Sequence, residues 1–269
     1  MAQVPLEWIA LVIGNSRLHW AWGTGAEVQQ GWHTSHLVPE AIARLVSQDF
    51  DFTSIDEACP NGAKRFKDRD LYIASVVPAQ TAQWVTYCPR ATCFTLADLP
   101  LKDGYPTLGI DRALAVCGAV ARYHRPALVI DAGTALTVTG VDGEFRFIGG
   151  AILPGVRLQF QSLSLHTADL PLVTLDSVED VRYPPRWATQ TEDAILSGVL
   201  HMLTAGVRDF IQDWGDRYPN TTLVLTGGDR RLIWIGLASV DPALANRVQA
   251  RDTAVMEGMA MAIAQRLSC

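Results

Sequence analysis

The sequence predicts an α/β fold in two halves, each built outward from a β-hairpin with a glycine corner. Three observations carry this. Apolar runs and period-2 segments alternate with helix-period segments along the chain. Two stretches, residues 8–22 (WIALVIGNSRLHWAW) and 127–140 (ALVIDAGTALTVTG), share a pattern of buried strand, glycine turn and alternating return strand. The 269 residues, 49% of them apolar, suit one large domain or two smaller ones, with a sizeable core. Laid glycine on glycine, Gly14 meets Gly133, Ser16 falls one step beyond Thr134, and Val12 falls opposite Asp131. Two such hairpins more than a hundred residues apart point to duplication, one per domain.

The elements follow in order. Residues 8–13 and 17–22 form the first hairpin. Residues 38–49 have helical spacing, with Ile42, Leu45 and Val46 on one face and Pro39 near the start. Residues 71–77 read as a short buried strand ended by Pro78, with a helix from about Gln80. Residues 91–110 are loop with short strands, delivering Gly109 to a helix over 113–123 that Asp111 and Arg112 open. The second hairpin follows, then a turn at Asp142-Gly143-Glu144 and the apolar, glycine-rich stretch 147–155. Its glycines suggest a close approach of two backbones, or of a backbone and a ligand. A helix covers 156 to about 167, and residues 172–187 read as loop. Thr191, as a capping residue followed by Glu192 and Asp193, starts a long helix. Residues 221–226 are a buried strand ending in Gly227-Gly228-Asp229, and a helix over 253–267 closes the chain.

Composition narrows the function. Net charge is 22 − 28 = −6, which argues against a nucleic-acid binder. The basic run Lys64–Arg69 reads as solvated surface, and the eight tryptophans as packing rather than a base-stacking platform. Five cysteines without a CxxC pair suggest neither a disulfide framework nor structural zinc, which fits a reducing, cytoplasmic setting. The six histidines have no metal-ligand spacing. There is no signal-peptide pattern and no run of about 18 apolar residues, so no membrane segment is expected.

Candidate chemistry sits at the corners. The turn Asp131-Ala132-Gly133-Thr134 sets a carboxylate and a hydroxyl beside a glycine, which suits either an anion-binding concavity or an ordinary hairpin. Asp111 in a first helical turn serves either the helix dipole or a reaction. The Gly227-Gly228 pair marks either a ligand site at a strand's carboxyl end or a plain strand-to-helix turn.

The segments IGNSRLHW, YPTLGIDR, DAGTALT, GGAILPG, HTADLP and LTGGD, in this order over residues 13 to 229, resemble the type III pantothenate kinases. The resemblance implies a fold of two ribonuclease-H-like domains of the actin-like ATPase superfamily, residues 1–122 and 123–269, with ATP in a cleft between them. It implies transfer of the γ-phosphoryl of ATP, with Mg2+, to pantothenate, giving 4′-phosphopantothenate on the way to coenzyme A. By the same resemblance Gly14, Asn15, Ser16, Arg17, Thr134, Gly227 and Gly228 meet ATP, and Asp131 binds a monovalent cation, K+ or NH4+. Tyr105, Gly109, Ile110, Asp111, Arg112 and Thr191 hold pantothenate, with Asp111 as proton acceptor. GGAILPG lies near a homodimer interface, the neighbouring subunit lending residues to the pantothenate site. Such a clamp suits phosphoryl transfer, which needs positioning and charge more than covalent chemistry. One position departs: the family's first motif carries Asp where this chain has Val12, a residue that cannot bind a cation. The alternatives are a kinase for another small alcohol, or a non-catalytic regulator on the same scaffold.

Overall fold

The computed structural model describes residues 7–55, 66, 69–175 and 182–267, which fall into two compact units. The first holds residues up to Arg122 together with the chain from Thr253 onward, and the second runs from Tyr123 to Asp252.

In the first unit the strands are β1 (Glu7–Ile13), β2 (Leu18–Thr24), β3 (Glu27–Thr34), β4 (Leu71–Ser75) and β5 (Thr92–Cys93). They form one sheet in the order β3-β2-β1-β4-β5, with β1 antiparallel to β2 and parallel to β4. Helices α1 (Pro39–Ser47), α2 (Pro78–Tyr87) and α3 (Ile110–Arg122) complete the run. Pro39 and Pro78 each stand in the first turn of a helix, where the missing N–H has no partner to lose. An aromatic core fills one side of the sheet. Trp20 meets Phe52 and Trp84 edge-on at 5.0 and 5.3 Å, and Trp32 stacks on Phe66 at 6.2 Å. Of the basic run, Lys64, Arg65, Lys67 and Asp68 lie outside the described residues; Phe66 is core and Arg69 pairs with Glu7. Strand β3 escapes a sequence reading because it is a polar edge strand that buries little besides Trp32 and Thr34.

The second unit repeats this plan. Its strands are β6 (Ala127–Ala132), β7 (Ala135–Val141), β8 (Phe147–Pro154), β9 (Thr222–Thr226) and β10 (Val248–Ala250), ordered β8-β7-β6-β9-β10. Counting within each unit, both sheets run 3-2-1-4-5, with a β-hairpin first and parallel neighbours after it. The helices are α4 (Val156–His166), α5 (Thr191–Arg217), α6 (Arg230–Val240) and the single turn α7 (Pro242–Ala245). Helix α5 is long and apolar enough, by length and composition, to cross a membrane, yet its stripe of Ile195, Val199, Leu203, Val207 and Ile211 belongs to this unit's core. Gln190, in extended conformation, precedes α5, so Thr191 is its first helical residue and not the cap expected from sequence.

The last helix, α8 (Ala254–Leu267), corrects the domain boundary. The sequence division carried the second domain to residue 269, but α8 belongs to the first unit, packed along α3. Glycines make this possible. A Cβ on Gly118 would lie 1.8 Å from the Ala254 carbonyl oxygen, and one on Gly258 would lie 2.0 Å from that of Leu114. Each helix thus sets a glycine against the backbone of the other, four residues apart on both sides. These two helices follow the fifth strand of their respective repeats, so the duplication reaches into their packing.

Candidate active site

In the second unit the chemistry gathers at the carboxyl ends of β6 and β9. Asp131 is the penultimate residue of β6 and pairs in register with Thr137 on β7 and Thr226 on β9. The turn beyond it is tight: the Gly133 N–H donates to the Ala135 carbonyl at 3.1 Å. Gly227 has φ +91, a left-handed conformation that glycine adopts without strain. A Cβ there would sit 2.4 Å from the Ala132 carbonyl oxygen and 2.5 Å from Asp131 Oδ1. The Asp131 carboxylate therefore faces the Gly227 backbone, and only glycine fits between them. Thr134 and Gly228 are exposed at the rim of this corner.

Three neighbours were not among the sequence candidates. Gly155 donates its N–H to the Thr134 carbonyl at 2.9 Å, and a Cβ on it would meet the Gly133 oxygen at 2.1 Å. The close approach expected somewhere in the glycine-rich stretch is made here, whereas a Cβ on Gly149 would meet nothing within 4 Å. Asp229 is buried, and its N–H donates to the Ala132 carbonyl at 2.8 Å. Arg157, in the first turn of α4, brings its Nε to 3.5 Å from Asp229 Oδ1. The signals were present: Asp229 directly follows the glycine pair, and Arg157 follows Pro154-Gly155 by two residues.

The first unit's corner has the same frame and different chemistry. The Gly14 N–H donates to the Arg17 carbonyl at 3.0 Å, closing a four-residue turn that exposes Asn15, Ser16 and Arg17. Val12 holds the register position of Asp131, paired with His19 on β2 and Ala74 on β4. It is 3% exposed and offers no ligand. His19 Nε2 would stand 3.3 Å from a Cβ on Gly14. Burial, and then the neighbouring His33 and Arg17, lower the His19 pKa to about 4, so the imidazole is neutral at pH 7.

The loop before α3 comes to the same end of this sheet. The Val76 N–H bonds the Ile13 carbonyl at 3.1 Å, and Val76 Cγ1 lies 4.0 Å from where a Cβ on Gly109 would be. Gly109, Ile110 and Asp111 thus adjoin the strand ends from which Gly14 departs. Asp111 Oδ1 accepts from the Arg112 backbone N–H at 2.8 Å and would be 2.5 Å from a Cβ on Gly109, so a larger residue there would have to displace the Asp111 carboxylate from this position. Arg112 is buried and donates through an Nη to the Tyr105 hydroxyl at 2.9 Å. A cavity of about 220 Å³, lined by Leu96, Ala97, Leu101, Asp103, Gly104 and Leu108, opens along this loop. Thr191, in the second unit, is exposed at the start of α5. Among the described residues no group of three or more His, Cys, Asp or Glu side chains could hold a metal ion.

Comparison with known proteins gives the family and agrees with the fold. The sequence pattern of the family described as type III pantothenate kinase matches residues 8–213. The chain is 42% identical to a type III pantothenate kinase of a Nostoc species over 96% of its own length and 95% of the relative's. In structure it is similar to the ADPNP-bound activator of 2-hydroxyisocaproyl-CoA dehydratase from Clostridium difficile (TM-score 0.54, 11% identity, 98% of each chain). It is likewise similar to ADP-bound MreB5 of Spiroplasma citri (TM-score 0.54, 11% identity, 98% of each chain). At those identities the structural likeness speaks for the fold, that of the actin-like ATPases, and for nothing more.

Proposed function

The chain belongs to the type III pantothenate kinases, and from that premise we propose which of its residues carry the ATP-dependent phosphorylation of pantothenate. The pantothenate primary hydroxyl attacks the γ-phosphorus of ATP, the bond to the β–γ bridging oxygen breaks, and ADP leaves. Asp111 accepts the hydroxyl proton as a positioned base. Tyr105, Gly109, Ile110, Arg112 and Thr191 hold pantothenate, with the buried Arg112 presenting its fork to the carboxylate, steadied by Tyr105. Gly14, Asn15, Ser16 and Arg17 bind nucleotide phosphates through the first corner, and Thr134, Gly227 and Gly228 bind the nucleotide through the second.

Asp131 is the carboxylate for a hard cation. Its Oδ1 faces the Gly227 backbone, and a monovalent cation such as K+ or NH4+ would be held there together with nucleotide oxygens and water. Mg2+ keeps most of its water and needs few protein ligands, which fits a chain without a three-ligand cluster among its described residues. Bound with the nucleotide, it would neutralise the charge that develops in transfer.

What supports this assignment is the repeated corner: two sheets of one topology, each ending its first strand in a glycine turn at the same register. The chain also has the makings of a homodimer. Edge strand β8 exposes Ile148 and Ile152 on one face, apolar side chains that a second copy would cover. Cytoplasmic action suits the free thiols of Cys88, Cys93 and Cys117.

The test is ADP release measured with Mg·ATP, K+ and a panel of small alcohols. Turnover should depend on pantothenate, and Asp111→Asn should lower kcat by about 10²-fold or more. Dependence on another alcohol would overturn the substrate, and undiminished turnover in the variant would overturn the base.

A further inference from the structure

Arg157 belongs to none of the roles assigned above, yet it is fixed at the second corner by two independent attachments. Its helix is tied there by the Gly155 N–H to the Thr134 carbonyl, with no room for a Cβ between Gly155 and Gly133. Its guanidinium is tied there by Asp229, whose own N–H bonds the Ala132 carbonyl. Both ends of the Arg157–Asp229 pair are therefore anchored on residues 132–134.

The charges make this placement consequential. Asp131 and the buried Asp229 bring two carboxylates to one corner, and a polyphosphate entering beside them would be repelled. A second guanidinium nearby, that of Arg230, is engaged with the Gly227 carbonyl at 3.1 Å and with Asp252 at 3.3 Å. Arg157 meets Asp229 through Nε at 3.5 Å, an ion-pair distance longer than a tight hydrogen bond, and its side chain is 54% exposed. Its fork retains donors for an incoming phosphate, a geometry that guanidinium serves better than ammonium.

We infer that Arg157 binds the terminal phosphates of the nucleotide and that Asp229 positions its guanidinium. This rests on the nucleotide phosphates occupying the corner at residues 131–134. Arg157 contributes contact to the β- and γ-phosphates and none to the adenosine, so its loss is felt in proportion to phosphate number. Asp229 acts through Arg157, so its effect depends on Arg157 being present.

The experiment uses the full chain with Mg2+ and compares wild type, Arg157→Met, Arg157→Lys, Asp229→Asn and the double variant Arg157→Met/Asp229→Asn. Titration calorimetry with ATP and with AMP is set beside steady-state kinetics. A charge-assisted phosphate contact corresponds to roughly 10- to 100-fold in affinity. Arg157→Met should weaken ATP binding and raise KM for ATP on that scale, with AMP affinity and KM for pantothenate within about twofold of wild type. Arg157→Lys, which keeps the charge and loses the fork, should fall between, and it serves as the test should the methionine variant not fold. Asp229→Asn should raise KM for ATP in the wild-type background and change nothing further in the Arg157→Met background. Equal loss of ATP and AMP, unchanged ATP binding, or additive effects of the two substitutions would overturn the inference. A wild-type protein without pantothenate-dependent turnover would instead overturn the function, and one that turns over yet ignores Arg157 would overturn this role alone.

Discussion

Replacing Gly118 with alanine should push apart two helices that touch through their backbones. The added Cβ would lie 1.8 Å from the Ala254 carbonyl oxygen and 2.8 Å from the Gly258 nitrogen, where contacts under 3.0 Å are essentially never tolerated. The obstacle is backbone on both sides, so no side chain can swing away, and α8 must recede by at least 3.0 − 1.8 = 1.2 Å. Over-packing ordinarily costs about 1–3 kcal/mol, and a backbone-to-backbone clash belongs at or above the upper end. Alanine recovers about 1 kcal/mol of helix propensity, which leaves a net destabilisation of about 2 kcal/mol or more. The same substitution at Gly206, in α5, supplies the internal control, because a Cβ there would meet nothing within 4 Å. Gly206→Ala should stabilise by about 0.5–1 kcal/mol through propensity alone. Urea unfolding followed by tryptophan fluorescence reads both, with Trp20 and Trp84 buried in the first unit and Trp214 in the second. The midpoints should move in opposite directions, and thermal midpoints should fall by roughly 4–8 °C for Gly118→Ala. Two glycine-to-alanine variants shifting the same way would refute the claim that close packing, and not helix propensity, selects glycine at position 118.

Two further outcomes are expected. Val12→Asp restores a carboxylate to the first corner and should lower KM for Mg·ATP; because Val12 is buried, the variant should also melt earlier. An unchanged or higher KM would show that the missing carboxylate does not limit nucleotide use. His19 has its folded pKa lowered from 6.5 to about 4, so protonation disfavours the folded state. The stability tied to neutral His19 is complete above pH 6.5 and is lost as pH falls towards 4, amounting to about 1–3 kcal/mol. His19→Gln should therefore lose less unfolding free energy than wild type between pH 6.5 and 4, and parallel curves for the two proteins would rule this out.

Much of this protein could be read from its residues alone. Periodicity located the two hairpins, helices α1 and α3 and strand β9, because burial on one face imposes a spacing on any chain that folds this way. The glycine corners announced themselves, and aligning Gly14 with Gly133 placed Val12 opposite Asp131, as the strand registers also do. The family followed from the order of its motifs. What the sequence could not disclose depends on contacts between residues far apart along the chain. Helix α8 has no local sign that it packs on α3, because the reason lies in two glycines 140 positions apart, Gly118 and Gly258. The polar edge strand β3 buries too little to stamp a period on its residues. Arg157 and Asp229 each stand just after a glycine motif, but nothing local joins them; they become a pair only because separate backbone bonds draw each to the same turn at residues 132–134. Local pattern is set by which face meets the core; a site is set by which distant loops end at the same place, and only the folded chain decides that.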